Sequence, residues 1–412
     1  MKNRELLSKS FFLIIICILI STTISGCSTG KESMSCSNRE LTMEEKLEDF
    51  EYMYNMLEEN YPFFKVNERV NKVDWLGNKN KYIQEIKQTK NDEEYAEKLN
   101  EIIGDLNNDH THLLSENLFV DFYEIYVREG NRITRPWKKV LDNENVKARY
   151  NFSEEKLEES SHENGLWKDR PAFTSKIIIP NEVAYINIYE MNGFRVEEDG
   201  KEIRKFFKTV KDYPKLIIDI RENGGGNEFY WQKNIVGPLI EKPLSVDYYA
   251  FIKGGKYSKK FYRSKQMRLK KVSGLGKGML EKFPEEIESD FKYYTKFNKT
   301  IEPDESINFK GDIYLLVDEI VYSSAESFAS FAKASGFATL VGERTGGDGI
   351  GIDPLLVSLP NSGLVVTFSS LLCLNPDYTI NEETKTIPDI EVYPTIILDY
   401  EYDQCIKAVI DD

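Results

Sequence analysis

Ser323 lies in the run Val321-Tyr322-Ser323-Ser324-Ala325-Glu326, after an apolar stretch and at the start of a helical pattern. A hydroxyl there is open to substrate and lies at the positive end of the helix dipole, a suitable place for an acyl-transfer nucleophile. The same position suits a helix cap, and Ser323 to Glu326 has capping-box spacing. A second candidate is Asp219-Ile220-Arg221-Glu222-Asn223-Gly224-Gly225-Gly226, where a strand ends in three glycines. Amides without side-chain cover can hold an oxyanion. A phosphate loop would need Lys followed by Ser or Thr after the glycines, and Asn227-Glu228 follows instead. A plain tight turn has the same composition. The chain has three histidines, and two of them, His110 and His112, share the polar cluster Asn107-Asn108-Asp109-His110-Thr111-His112. Either can act as a general base near neutral pH. No neighbouring His, Cys or Glu completes a ligand set, so no metal is expected.

The elements that must hold these groups in place are legible in outline. From Met43 to Leu114 the pattern is helical: Leu47, Phe50, Tyr54 and Leu57 recur at spacings of three and four. A second helix is expected over Asp92 to Ile103. Residues 115–175 have no clear period and read as a connecting or lid segment. From 176 the chain turns α/β. Strands are expected at Ile177–Ile179, Val183–Ile188, Leu216–Ile220, Val246–Ile252, Ile313–Val317 and Ala338–Val341. Helices are expected over Glu202–Val210, Phe229–Ile240 and Ser323–Ala334. Leu355–Leu359 and Gly363–Ser369 flank the turn Pro360-Asn361-Ser362, a hairpin signal. Repeated strand–strand–helix units predict one α/β superhelical core.

The 412 residues carry a net charge of −15 and are 41% hydrophobic, enough for a large buried core. The acidic balance argues against nucleic acid, which needs a basic stripe. The cluster Lys253 to Lys277 reads as part of a solvated insertion. Lys2, Arg4 and Lys9 precede the apolar run Phe11–Ile20, which is short for a membrane span. Ile24-Ser25-Gly26-Cys27 then resembles the lipobox of bacterial lipoproteins. That likeness implies cleavage before Cys27, lipid on Cys27, and a chain held on the extracytoplasmic face of the cell membrane. Of the five cysteines, Cys36, Cys373 and Cys405 then remain, without metal spacing. Cys373 reads as a buried thiol, with a Cys373–Cys405 bridge as the alternative.

Taken in order, these motifs resemble the family of C-terminal processing (tail-specific) proteases. They are closest to its branch with the tricorn core protease and interphotoreceptor retinoid-binding protein repeats. The matching runs are Asp109-His110-Thr111, Leu216 to Gly226, Leu315-Leu316-Val317-Asp318 leading to Ser323-Ser324-Ala325-Glu326, Leu340 to Gly347, and Ile387 to Val392. They span roughly 44–114 and 176–398. The resemblance implies an α/β fold, with a ClpP/crotonase-like ββα superhelix core and an N-terminal helical subdomain. With the N-terminal pattern read above, the expected layout is a signal peptide at 1–26, a tether at 27–42, the helical subdomain at 43–114 and the connecting or lid segment at 115–175. The core would follow at 176–398 with an insertion at 254–308, then a C-terminal helix at 399–412. No peptide-binding PDZ module is evident in 115–175.

The resemblance makes Ser323 the nucleophile, and makes Gly225 or Gly226 together with Ser324 the oxyanion donors. The tail-specific branch places a lysine base where this chain has Asp348, in Thr345-Gly346-Gly347-Asp348-Gly349. The tricorn-like arrangement is therefore expected, with His110 (or His112) as base and Glu383 (or Glu382) orienting it. The expected activity is hydrolysis of peptide bonds in a peptide or protein substrate, without cofactor or metal. The alternative is an inactive peptidase-like lipoprotein that binds a peptide or apolar ligand, since an acid stands at the lysine position.

Overall fold

The computed structural model describes residues 39–157 and 171–412. The signal segment 1–26, Cys27, Cys36 and residues 158–170 of the expected connecting segment lie outside the described residues.

Helix α1 (Met43–Asn60) opens on a reciprocal cap: Thr42 Oγ1 accepts the Glu45 N–H and the Glu45 carboxylate accepts the Thr42 N–H. Its inward stripe is Phe50, Met53, Tyr54 and Leu57, all buried. α2 (Phe64–Asn71), α3 (Lys79–Ile86) and α4 (Asp92–Gly104) follow, the last capped by the Asn91 side chain. The chain then turns through Asn107–Thr111 into β1 (His112–Leu113). Next come α5 (Glu116–Tyr123), α6 (Arg135–Leu141) and α7 (Glu144–Arg149). Phe119, Tyr123, Trp137 and Leu141 are buried in the same cluster as Phe50 and Leu57. Residues 115–157 of the expected connecting segment thus belong to the helical core, while Phe173–Ser175 at its end open a strand. Its helices are too short to sustain a readable period.

The second half begins with the antiparallel pair β2 (Phe173–Ile179) and β3 (Val183–Ile188). α8 (Val196–Thr209), β4 (Lys215–Asp219) and α9 (Glu228–Trp231) follow, and α9 runs on helically to Leu239. Then come β5 (Leu244–Ile252), β6 (Lys270–Lys271), β7 (Tyr293–Ile301) and β8 (Asp312–Val317). Helix α10 (Ser323–Ser335) leads to β9 (Thr339–Gly342), β10 (Leu355–Ser358), β11 (Val365–Phe368) and β12 (Leu372–Leu374). The chain ends with β13 (Ile390–Glu391) and α11 (Gln404–Asp411).

One six-stranded sheet has the order β13-β9-β8-β4-β3-β2 and is parallel except for β2. Its inner strands β3, β4, β8 and β9 are buried on both faces, as the apolar run of β4 requires, while the edge strand β2 is largely exposed. Leu216 and Ile218 face the cluster that holds α10, while Ile217 faces α11 with Cys405, Ile406 and Val409. A second sheet, β12-β5-β7-β6, covers the other side of α10. β7 pairs with β5 over its full length, from Leu244↔Ile301 to Ile252↔Tyr293. The expected insertion 254–308 therefore supplies a strand, one that Lys296, Asn298 and Lys299 disguised as solvated loop. The third sheet is β1-β11-β10. Cys373 and Cys405 are both free and lie in separate clusters, so no bridge joins them. Among the described residues no helix is long and apolar enough to cross a membrane.

Candidate active site

Parallel strand β8 delivers the chain to Ser323 in an unusual backbone state. Ser323 has φ +55°, the left-handed region that L-residues seldom occupy, and it opens the thirteen-residue helix α10. Its N–H donates to the Gly347 carbonyl at 3.3 Å, and Tyr322 bridges Gly347 in parallel register. The Ser323 turn and the Gly346–Gly349 loop are thereby laced together. The capping expectation fails here. The Ser323 hydroxyl leaves the helix for His110, and Glu326 is fully buried, accepting from Asn381 Nδ2 and Thr386 Oγ1. Burial pushes the Glu326 carboxyl up to about 7, against the hydrogen bonds that it accepts.

His110 arrives from the helical half. Thr111 N–H donates to Asn108 O at 2.9 Å and Thr111 Oγ1 to Asn108 Oδ1 at 2.7 Å, which shapes the turn. β1 then anchors it to the α/β half through His112↔Thr367 and Leu113↔Val366. The outcome is a hydrogen-bonded line. His110 Nε2 lies 3.1 Å from Ser323 Oγ, and His110 Nδ1 lies 2.9 Å from Asp348 Oδ2. A carboxylate at Nδ1 selects the tautomer with hydrogen on Nδ1, leaving Nε2 to accept from the serine hydroxyl. His112 turns back on its own loop, with Nδ1 2.9 Å from Asp109 O, and burial lowers its pKa.

Asp348, read from the sequence as a departure from the lysine pattern, is the carboxylate on the imidazole. It also accepts from Asn108 Nδ2 at 3.0 Å and from Ser369 Oγ. Burial would raise its pKa, but the bonds from His110, Asn108 and Ser369 outweigh that and hold the carboxyl below its usual value. Asp348 is thus an anion at neutral pH. Asn108 Nδ2 reaches Glu382 Oε1 too, at 3.1 Å. Burial, then the charge of Asp348, pushes Glu382 up to about 8, so this second carboxyl keeps its proton at pH 7. Glu383, expected to orient the imidazole, instead pairs with Arg69, with Nε 3.0 Å from Oε1. Asn381–Thr384 is a short helix, and its turn carries Glu383 away from the histidine side.

Gly225 packs against Ser323: a Cβ there would stand 2.8 Å from both Ser323 Cβ and Ser324 N. Its φ of +108° independently requires glycine. Its N–H, however, is taken by Asn223 Oδ1 at 2.9 Å. Met191 accepts from Asn227 N and donates to Gly225 O, so the N–H of the intervening Gly226 points to the opposite side. Ser324 is the second residue of α10, where the N–H has no acceptor within the helix. Of the three expected donors, Gly226 and Ser324 are the pair whose amides the backbone geometry leaves available. Buried Asp318 joins the two loops, accepting from Glu222 N at 3.0 Å and from Ile320 N at 3.1 Å.

Asp348, Asn108 and Ser369 escaped sequence reasoning as site residues. For Asp348 the signal was present, since it occupies a position that faces the nucleophile in the resembled family. Nothing local marked Ser369, which follows β11. No group of three or more His, Cys, Asp or Glu side chains suited to hold a metal occurs among the described residues.

A family model described as Peptidase family S41 matches residues 182–392. No curated protein matches the chain. Among solved structures, a candidate peptidase from Parabacteroides merdae ATCC 43184 is 21% identical, over 89% of this chain and 96% of its own, with a TM-score of 0.57. Mature CPAF complexed with lactacystin is 12% identical, over 85% of this chain and 94% of its own, with a TM-score of 0.53. At these identities the likeness is one of fold.

Proposed function

Since the chain belongs to peptidase family S41, we propose that it hydrolyses peptide bonds through an acyl-enzyme on Ser323, with His110 as base and Asp348 as its partner. The observation that carries this reading is the unbroken line from Ser323 Oγ through His110 to Asp348, at 3.1 and 2.9 Å. His110 Nε2 takes the hydroxyl proton as Oγ bonds to the scissile carbonyl carbon. The imidazolium so formed is stabilised by the Asp348 anion. The carbonyl oxygen becomes an oxyanion, received by the N–H groups of Gly226 and Ser324, a contribution of about 3 kcal/mol per donor. Collapse expels the amine, which leaves with the proton from His110 Nε2. Water, deprotonated by the same nitrogen, then releases the acyl group. The left-handed backbone at Ser323 supports the role, because such strain persists where the surrounding structure demands it.

The acid at the lysine position was the reason to consider an inactive binding protein. Its place on His110 supports the enzyme reading instead. The order of basic residues, apolar run, small residues and Cys27 supports a lipid-anchored, extracytoplasmic location. Cys27→Ala should then abolish incorporation of a labelled fatty acid into the protein.

The test is Ser323→Ala assayed on an unstructured protein substrate, beside labelling of the wild type by a fluorophosphonate. We expect hydrolysis to fall by about 10⁴-fold or more with the melting temperature retained. Wild-type turnover that survives the substitution would remove Ser323 from the chemistry.

A further inference from the structure

Two hydrogen bonds hold the ends of the His110 ring, Nδ1 at Asp348 and Nε2 at Ser323. Such a pair fixes a line through the ring and leaves its plane free to tilt about that line. Tyr322 supplies a third contact. Its ring centre lies 4.7 Å from that of the imidazole, with the planes 46° apart. Aromatic rings attract one another at centre-to-centre distances of about 4.5–7 Å. The Tyr322 hydroxyl reaches the groups behind the imidazole, 3.4 Å from Asp348 Oδ2 and 3.4 Å from Asn108 Nδ2. Both distances are long for hydrogen bonds, so the ring carries more of the contact than the hydroxyl. Burial, then the charge of Asp348, raises the phenol well above its usual pKa and keeps it neutral.

Tyr322 is itself held from both loops of the site. Its N–H donates to Asn223 O at 3.3 Å in the glycine turn, and it bridges Gly347 in parallel register. A Cβ on Gly346 would stand 3.1 Å from Tyr322 Cδ2, so the second loop passes directly against the ring. The Tyr322 backbone is extended, with φ −134° and ψ 159° replaced at the next residue by the left-handed state of Ser323. In an extended chain, neighbouring side chains point to opposite sides. The left-handed turn breaks that alternation, and the Tyr322 ring and Ser323 Oγ come to the same imidazole. A small apolar residue would make the same backbone bonds. A ring is needed to give the imidazole a face.

We propose that Tyr322 is a positioning residue for the base: its ring sets the plane of His110 so that Nε2 aims at Ser323 Oγ, and its π system stabilises the imidazolium formed as the serine gives up its proton. The inference rests on the peptidase reading of Ser323. A cation within about 6 Å of an aromatic centre is attracted by the ring, so the contact is stronger after proton transfer than before it. An interaction that strengthens in this way acts on kcat, with KM little changed.

The test compares Tyr322→Phe, which keeps the ring, with Tyr322→Leu and Tyr322→Met, which remove it, in the whole protein. Long-range proton–nitrogen correlation on histidine-labelled protein reads the base directly. The chain has three histidines, and His110→Ala assigns the signal. Wild type and Tyr322→Phe should show one His110 tautomer, with hydrogen on Nδ1, and the ringless variants a mixture. On the unstructured protein substrate the ringless variants should lose about 10²-fold in kcat with KM within about threefold, while Tyr322→Phe stays within about threefold of wild type in both. A role confined to packing would lower the melting temperature and leave the tautomer and the kcat of the folded fraction as they are. A mixture in the ringless variants, beside a wild type that holds one tautomer but cleaves nothing, would support the positioning role and remove the hydrolytic reading. One tautomer in the ringless variants, a mixture already present in the wild type, or a changed tautomer with kcat retained would each overturn the proposal.

Discussion

The two halves of the cleft are built on different terms. The nucleophile side hangs on a six-stranded, mostly parallel sheet, and its loops are laced to one another by Asp318, Asn223 and the Tyr322–Gly347 bridge. The histidine side hangs on helices and reaches the sheet half through a two-residue strand and a side-chain turn. Left-handed backbone occurs at Ser323, φ +55°, and Asp348, φ +45°, on the first side, and at Asn107, φ +52°, on the second, where asparagine tolerates it. The second side closes the His110 turn with the Thr111–Asn108 hydrogen bonds and leaves the ring to be held by Asp348. The difference indicates where precision is placed: backbone fixes the serine and the amides, while side chains fix the imidazole. The two sides meet at Asp348, which grows from the nucleophile side and grips the histidine.

Breaking that meeting point should have the largest effect. Asp348→Asn keeps the shape but presents an amide to Nδ1 and favours the wrong tautomer. We expect kcat to fall by about 10⁴-fold with KM little changed, read by steady-state kinetics. A fall below tenfold would mean that the imidazole is oriented by something else.

The backbone side is probed by Gly225→Ala. The added Cβ meets Ser323 Cβ and Ser324 N at 2.8 Å, in a backbone state that disfavours alanine. A loss of about 1–3 kcal/mol in a denaturant melt is expected, together with reduced fluorophosphonate labelling. Normal labelling would show that the glycine turn does not shape the nucleophile's surroundings.

The side-chain half is probed by Asn108→Ala, which deletes the amide shared by Asp348 and Glu382 and the oxygen bonded to Thr111. Activity should drop about tenfold, mainly in kcat, as one charge-assisted hydrogen bond would predict. An unchanged kcat would mean that the His110 turn is held by β1 alone.

The last probe is a pH dependence of stability, with no change in catalysis required. Glu382 has a folded pKa pushed from 4.5 to about 8, so the native state holds a proton that the unfolded chain loses in that range. Its contribution to stability is full below about pH 4.5 and is lost as pH rises through about 8. Glu382→Gln lacks this loss. The melting temperature of the variant should gain on that of the wild type between pH 5 and 8; a constant gap would refute the buried protonated carboxyl.

Much of this molecule was already legible in its residues. Short continuous apolar runs mark β3, β4 and β8, and a stripe at three and four marks α1, because burial is written into neighbouring residues. Ser323, His110 and the glycine turn stand out because each needs a residue type that local structure exposes. Three decisions belonged to the tertiary structure. His110 rather than His112 meets Ser323, which lies 213 positions along the chain from His110. Asp348 rather than Glu383 takes the imidazole, across 238 positions, while Glu383 is drawn to Arg69 across 314. Residues 115–157 join the helical core because burial against α1 and α4 outweighs their weak periodicity. The physical reason is common to all three. A hydrogen-bond partner over such separations is chosen by where sheets and loops finally bring the side chains, and no local pattern encodes that meeting.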